Sequence, residues 1–127
     1  MLFIIRFLCL LTAIFFLCIT IAGFVPFALN EERLFGLIKV NSALNFFHFF
    51  TALAAAAAAY SEDQIPFVFF RIFGVAYLMI ALIGVLHFGY PLFGFLANSY
   101  EGNFFHAIIG GIFLGLSTLG GSFSKFR

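Results

Sequence analysis

His48 and His106 are the side chains best suited to chemistry in this 127-residue sequence. Each lies three positions after an asparagine, Asn45 or Asn103, so each Asn–His pair shares one face of a helix. An imidazole can ligate a metal, hold a haem iron, relay a proton or form an ordinary hydrogen bond. Two imidazoles from facing helices are one way to hold a b-type haem or part of a metal site, with His87 as a third candidate ligand. The structural reading is helix capping: Asn45 and Asn103 as N-caps put each histidine at the third helical position. There the imidazole would bond the preceding backbone or the opposite asparagine and fix packing. The sequence has no second histidine pair and no Cys-x-x-Cys-His attachment motif. The expectation is therefore a polar cluster of Asn45, His48, Asn103 and His106 with no cofactor; haem b, or a metal, is the alternative.

The elements that must position these groups are dictated by solvent. Hydrophobic residues make up 65% of the chain, charged residues 9%, and the mean hydropathy is +1.20. Soluble domains carry roughly 25% charged residues, and a small fold leaves much of its surface wet. A chain this apolar belongs in a bilayer. Nucleic acid is excluded as a partner, because six Lys+Arg against five Asp+Glu leave no basic stripe for phosphates. The 23 phenylalanines suit hydrocarbon, since Phe has no polar atom to satisfy.

Each crossing helix needs about 20 apolar residues. The first run extends from Leu2 to about Ala28 and is too long for the apolar core of a signal peptide. The second covers Ser42 to Tyr60, the third Pro66 to Phe88, and the fourth Asn103 to Gly120-Gly121. Cys9 and Cys18 both fall on the first run, about 13 Å apart along the axis, and act as small hydrophobes. The expected fold is all-α integral membrane, with four transmembrane helices in a single domain, residues 1–127. Arg6, Arg71, Lys125 and Arg127 lie on the side of the termini, against Arg33 and Lys39 with Glu31, Glu32 and Glu101 on the other. By the positive-inside rule both termini are cytoplasmic, and the expected location is the cell inner membrane.

An internal repeat organises the chain. Leu34-Phe35-Gly36 recurs as Leu92-Phe93-Gly94, and Asn45-Phe46-Phe47-His48 as Asn103-Phe104-Phe105-His106. Both recur at one offset (92 − 34 = 58 and 103 − 45 = 58). Gly23-Phe24-Val25 and Gly84-Val85-Leu86 also correspond if the first loop has three extra residues. The unit is a two-helix hairpin, residues 1–60 and then 65–122. Two spans per copy give both copies the same orientation, about an axis along the membrane normal. Helix two then faces helix four, and His48 faces His106.

These residues also resemble a family. Leu34-Phe35-Gly36-Leu37, Val40-Asn41 and Asn45-x-x-His48, followed by Arg71-x-x-Gly74-Val75-x-Tyr77, Ala81-Leu82-x-Gly84, Leu92-Phe93-Gly94 and Asn103-x-x-His106, carry the likeness. It is to an uncharacterised bacterial domain-of-unknown-function family of small four-helix membrane proteins, from roughly residue 20 to the end of helix four. The family commonly has an acidic residue near the place held here by Asn103. The resemblance implies a fold and a membrane location, and no activity.

Small residues form a second set. Ala52 and the alanine tract that includes Ala55 lie on helix two; Gly110, Gly111 and Gly115 lie on helix four, and Gly111-x-x-x-Gly115 is a close-packing pattern. They are expected to pack helices two and four across the repeat axis, with a dimer face as the alternative. Arg71 is read as an anchor that snorkels to the surface and pairs with Glu62 or Asp63. Tyr77 is expected to bond a neighbouring helix, His87 to sit at the interface, and Glu31-Glu32-Arg33 to be a solvated loop. The segments Leu34 to Val40 and Leu92 to Ala97 are expected as half-buried turns at the outer surface.

No triad, intramembrane carboxylate pair or phosphate loop is present, so the expectation is a non-enzymatic protein. It would be an accessory or scaffold subunit whose partners are the lipid bilayer and other membrane proteins or itself. A haem- or metal-binding redox protein using His48 and His106 is the first alternative, and a small channel or transporter the second.

Overall fold

The computed structural model describes residues 1–120. Gly121, Lys125 and Arg127, which enter the expected helix end and the charge count, lie outside the described residues. Four helices carry the fold: α1 (Leu2–Phe24), α2 (Ser42–Ala59), α3 (Ile65–Leu86) and α4 (Tyr100–Ser117), the last extended by a 3-10 turn at Thr118–Gly120. Each is long and apolar enough to cross a membrane, which makes the chain a multi-pass membrane protein.

The helix ends follow from local chemistry. α1 stops four residues before the expected Ala28, because Pro26 opens a separate 3-10 turn at Pro26–Ala28. α3 begins with Pro66 in its first turn, where the missing N–H costs nothing. The caps of α2 and α4 are Asn41 and Ser99, both in extended backbone. Their side chains accept from Leu44 N–H at 2.9 Å and Gly102 N–H at 3.1 Å. Asn45 and Asn103 are therefore not caps. Both helices start one turn earlier than the capping reading requires, and each asparagine is the fourth helical residue.

The helices pack chiefly as two hairpins, α1 on α2 and α3 on α4. Their buried faces repeat. Ile5, Cys9, Phe16, Thr20 and Gly23 on α1 match Pro66, Phe70, Tyr77, Ala81 and Gly84 on α3 at one spacing (84 − 23 = 61). Leu44, Asn45, His48, Ala52, Ala55 and Ala59 on α2 match Gly102, Asn103, His106, Gly110, Phe113 and Ser117 on α4, 58 residues on. Cys9 is buried and Cys18 exposed. The opposite faces carry Phe3, Phe7, Leu11 and Ile14 on α1 and Ile72, Val75, Met79 and Leu82 on α3, all exposed. Such apolar surface suits lipid and not water.

The small residues pack differently from the expectation. A Cβ on Gly74 would come within 3.1 Å of the Gly110 carbonyl, and one on Gly110 within 2.9 Å of the Gly74 carbonyl. Gly110 thus lets α4 approach α3, its own hairpin partner. Gly111 and Gly115 face open space. Helices α2 and α4 meet instead through imidazoles, which hold the backbones apart. Ala52 and Ala55 are buried in a core cluster that includes Ile5 and Cys9 of α1.

At the loop end, the first connection is not a simple turn. Three two-residue strands, β1 (Leu29–Asn30), β2 (Arg33–Leu34) and β3 (Ile38–Lys39), form an antiparallel meander with Leu29 opposite Leu34 and Leu34 opposite Ile38. Glu31 and Glu32 sit exposed at its first bend. The second connection has one bridge, Leu92 to Leu96. Leu-Phe-Gly does the same job in both. Phe35 and Gly36 have φ of 51° and 75°; Phe93 and Gly94 have 54° and 80°. The turns close through Leu37 N–H to Leu34 O and Phe95 N–H to Leu92 O, each at 3.0 Å. Two consecutive positive φ values make these the primed turns that match strand twist. Leu34 and Leu92 point inward and join Ala28, Val40, Leu44, Leu96 and Ala97 in a second core cluster.

Candidate functional site

His48 and His106 are the seventh residues of α2 and α4 counted from their caps, at equivalent points of the two hairpins. Their Nε2 atoms lie 3.3 Å apart, and the rings are 1% and 2% exposed. This is a direct hydrogen bond, so one Nε2 carries the proton and the other accepts it. The donor ring then has a bare Nδ1 and the acceptor ring a protonated one. Both Nδ1 atoms are buried and have no hydrogen-bond partner among the described residues.

Aromatic side chains enclose the pair. The Phe16 ring centre is 5.6 Å from that of His48, and the Tyr77 ring centre 5.4 Å from that of His106. Phe16 and Tyr77 are 5.6 Å apart, and Phe113 packs 6.3 Å from Phe16. Phe16 and Tyr77 occupy equivalent positions of α1 and α3, so a phenyl ring stands where the other hairpin has a phenol. The Tyr77 hydroxyl meets Thr51 Oγ1 at 2.7 Å, which joins α3 to α2. Thr51 also donates to the Phe47 carbonyl at 3.0 Å or shares that proton with Tyr77. Sequence reasoning missed Thr51, although it lies three residues after His48 on the same face.

The asparagines do not converge on the histidines. Asn45 Nδ2 donates to the Gly23 carbonyl of α1 at 2.9 Å. Asn103 Nδ2 donates to Asn98 Oδ1 at 2.9 Å. Asn98 in turn donates to the carbonyls of Gly84, His87 and Tyr90, gathering the end of α3. The physical reason is reach: the short amide arms bond acceptors within their own hairpins, while the imidazoles meet each other across the interface.

Other expected site residues lie apart. His87 ends α3, exposed, with Nδ1 3.1 Å from the Ile83 carbonyl. Asp63 lies 3.4 Å from Arg6, which also donates to the Ser61 carbonyl at 2.7 Å. Arg6 reaches the turn from α1, where the hairpin brings its guanidinium across. Arg71 is partly buried near the start of α3. Arg33 pairs with Glu101 at 3.3 Å and so ties the meander to the start of α4.

The arrangement does three things chemically. It makes one imidazole–imidazole hydrogen bond, it encloses that bond in aromatic rings, and it ties α2 to α3 through a hydroxyl pair. A porphyrin between the rings needs the nitrogens about 4 Å apart on opposite sides of an iron, at metal–nitrogen bonds of about 2.0 Å. The two Nε2 atoms are 3.3 Å apart and hydrogen-bonded to each other, closer than that span. Among the described residues, no group of three or more His, Cys, Asp or Glu side chains is placed to hold a metal ion.

Fold and site together define a multi-pass membrane protein of two helical hairpins joined by a buried histidine pair. The chain belongs to the family described as "Domain of unknown function (DUF4383)", which matches residues 6–119. Comparison with curated proteins and with solved structures finds no match in either.

Proposed function

We propose that this protein is a non-enzymatic accessory or scaffold subunit of a membrane assembly or homo-oligomer. The observation that carries this reading is the His48–His106 contact. The two side chains best able to do chemistry bond each other inside an aromatic cage, so their hydrogen-bonding capacity joins the two hairpins. What the molecule offers outward is its apolar helix faces and its loop end. The reading places it in the bacterial inner membrane with both termini cytoplasmic. Arg6 and Arg71, with Lys125 and Arg127, outnumber Arg33 and Lys39. Two copies of an even-span hairpin then insert in parallel about an axis along the membrane normal.

The test is to extract the full chain with its surrounding lipid into native nanodiscs and to measure mass and absorption on one sample. The expected result is a fixed-stoichiometry assembly, with itself or with another membrane protein, and no Soret band. A solitary chain without partners overturns the scaffold reading. A Soret band that shifts on dithionite reduction and is lost in His48→Ala makes the protein a redox carrier instead.

A further inference from the structure

Arg6 is a permanent charge inside a membrane-spanning helix. It is the fifth residue of α1, between Phe3 and Phe7, which are both exposed to lipid. The second hairpin has no charge at the equivalent place. Phe67 stands there, at the 61-residue spacing that relates α1 to α3, and is buried. A Cβ on Gly120 would come within 2.7 Å of its ring. Packing at this end of a hairpin is thus met by an apolar side chain, and the arginine of the first hairpin answers to something else.

The guanidinium is only partly engaged. Nη2 makes both of its contacts, to the Ser61 carbonyl at 2.7 Å and to Asp63 Oδ1 at 3.4 Å. Asp63 is 79% exposed, so that ion pair is long, wet and worth little. Nε is enclosed by protein. Nη1, the other arm, has no acceptor among the described residues and is not enclosed. Its two N–H donors are free to meet an anion.

A groove of about 360 Å³ opens beside Arg6, lined by Phe3, Arg6, Phe7, Leu10, Ala59 and Tyr60. Tyr60 caps α2 at the same end, with an exposed phenol of the kind that settles at headgroup depth. Leu10 is one helical turn deeper than Arg6, about 6 Å along the axis. The groove therefore runs from one cation and a phenol into apolar wall. A phospholipid is built the same way, with a charged phosphodiester above hydrocarbon, and a guanidinium is well suited to phosphate. We infer that this groove holds one phospholipid, its phosphodiester on Arg6 Nη1 and an acyl chain along Phe3, Phe7 and Leu10. Glu62 and Asp63 are exposed in the adjoining turn. With those carboxylates close by, the site selects the phosphodiester itself and not a headgroup of net negative charge.

A lipid with the same chains and no phosphate separates this site from general lipid contact. The full chain in detergent is titrated with phosphatidylglycerol, phosphatidylethanolamine or digalactosyldiacylglycerol of matched acyl chains, and retained lipid is counted by native mass spectrometry. The expected result is one retained molecule of either phospholipid, favoured roughly tenfold over the galactolipid, the factor that one charge-assisted hydrogen bond supports. Arg6→Gln is expected to remove that preference. Asp63→Asn, which deletes the ion pair and leaves the guanidinium, is expected to keep it. Equal retention of galactolipid and phospholipid overturns the inference, and so does a preference that survives Arg6→Gln. A preference lost equally in Asp63→Asn overturns it too, because Arg6 would then act through its ion pair within the hairpin. Should Arg6→Gln fail to fold, the lipid comparison on the unaltered chain and the Asp63→Asn result still decide.

Discussion

Asn45 and Gly23 meet so closely that a Cβ on residue 23 would overlap Asn45 Oδ1 and fall 2.6 Å from its Cγ. Asn103 stands against Gly84 in the same way, with Cγ at 2.7 Å. Each hairpin is thus keyed by a glycine on its first helix and an asparagine on its second. These two contacts, with the Gly74–Gly110 approach, set how near the paired helices come.

Gly23→Ala and Gly84→Ala are expected to destabilise the protein by about 1–3 kcal/mol each, the usual cost of overpacking a filled site. Gly111→Ala and Gly115→Ala, where a Cβ meets open space, are expected to be neutral or slightly stabilising. Thermal unfolding of all four in one detergent decides the matter. A larger loss at Gly111 or Gly115 than at Gly23 or Gly84 would show that the helix pairs are wrongly assigned.

The Thr51–Tyr77 bond offers a test of how the hairpins are joined. Tyr77→Phe leaves Thr51 its Phe47 carbonyl, so its expected cost is about 1 kcal/mol. Thr51→Val strands a buried phenol hydroxyl and should cost more, about 1–3 kcal/mol. The double variant removes both polar groups and should cost less than the sum of the singles. Additive losses in a double-mutant cycle would mean that the two hydroxyls do not bond.

Phe35 and Phe93 hold positive φ although they are bulky, and each is 68% exposed. A left-handed residue other than glycine is disfavoured by about 1–2 kcal/mol. Phe35→Asn and Phe93→Asn, which suit the first central position of a primed turn, are expected to hold or raise the unfolding midpoint. A clear fall in both would assign the rings a packing role that outweighs the backbone strain.

The sequence by itself determined the solvent, the four helices and the pairing of His48 with His106 by position. Hydropathy run length decides a span without reference to neighbours, and an offset of 58 is a property of the string alone. The places where the reading went astray all depend on which neighbour a side chain meets. Asn45 and Asn103 were taken for caps because Asn is a good cap anywhere. Only the actual helix starts, one turn earlier at Asn41 and Ser99, give them partners on Gly23 and Asn98. Gly110, Gly111 and Gly115 look alike as letters, yet the turn of the helix puts Gly110 against Gly74 and leaves the others open. The Arg6–Asp63 contact, between residues 57 apart, likewise forms only through the α1–α2 hairpin. Nothing in the sequence announced the meander or the incomplete bonding of Asn45. Hydrogen bonds between short polar arms are settled at a scale of about 3 Å, and that scale exists only once the helices are packed.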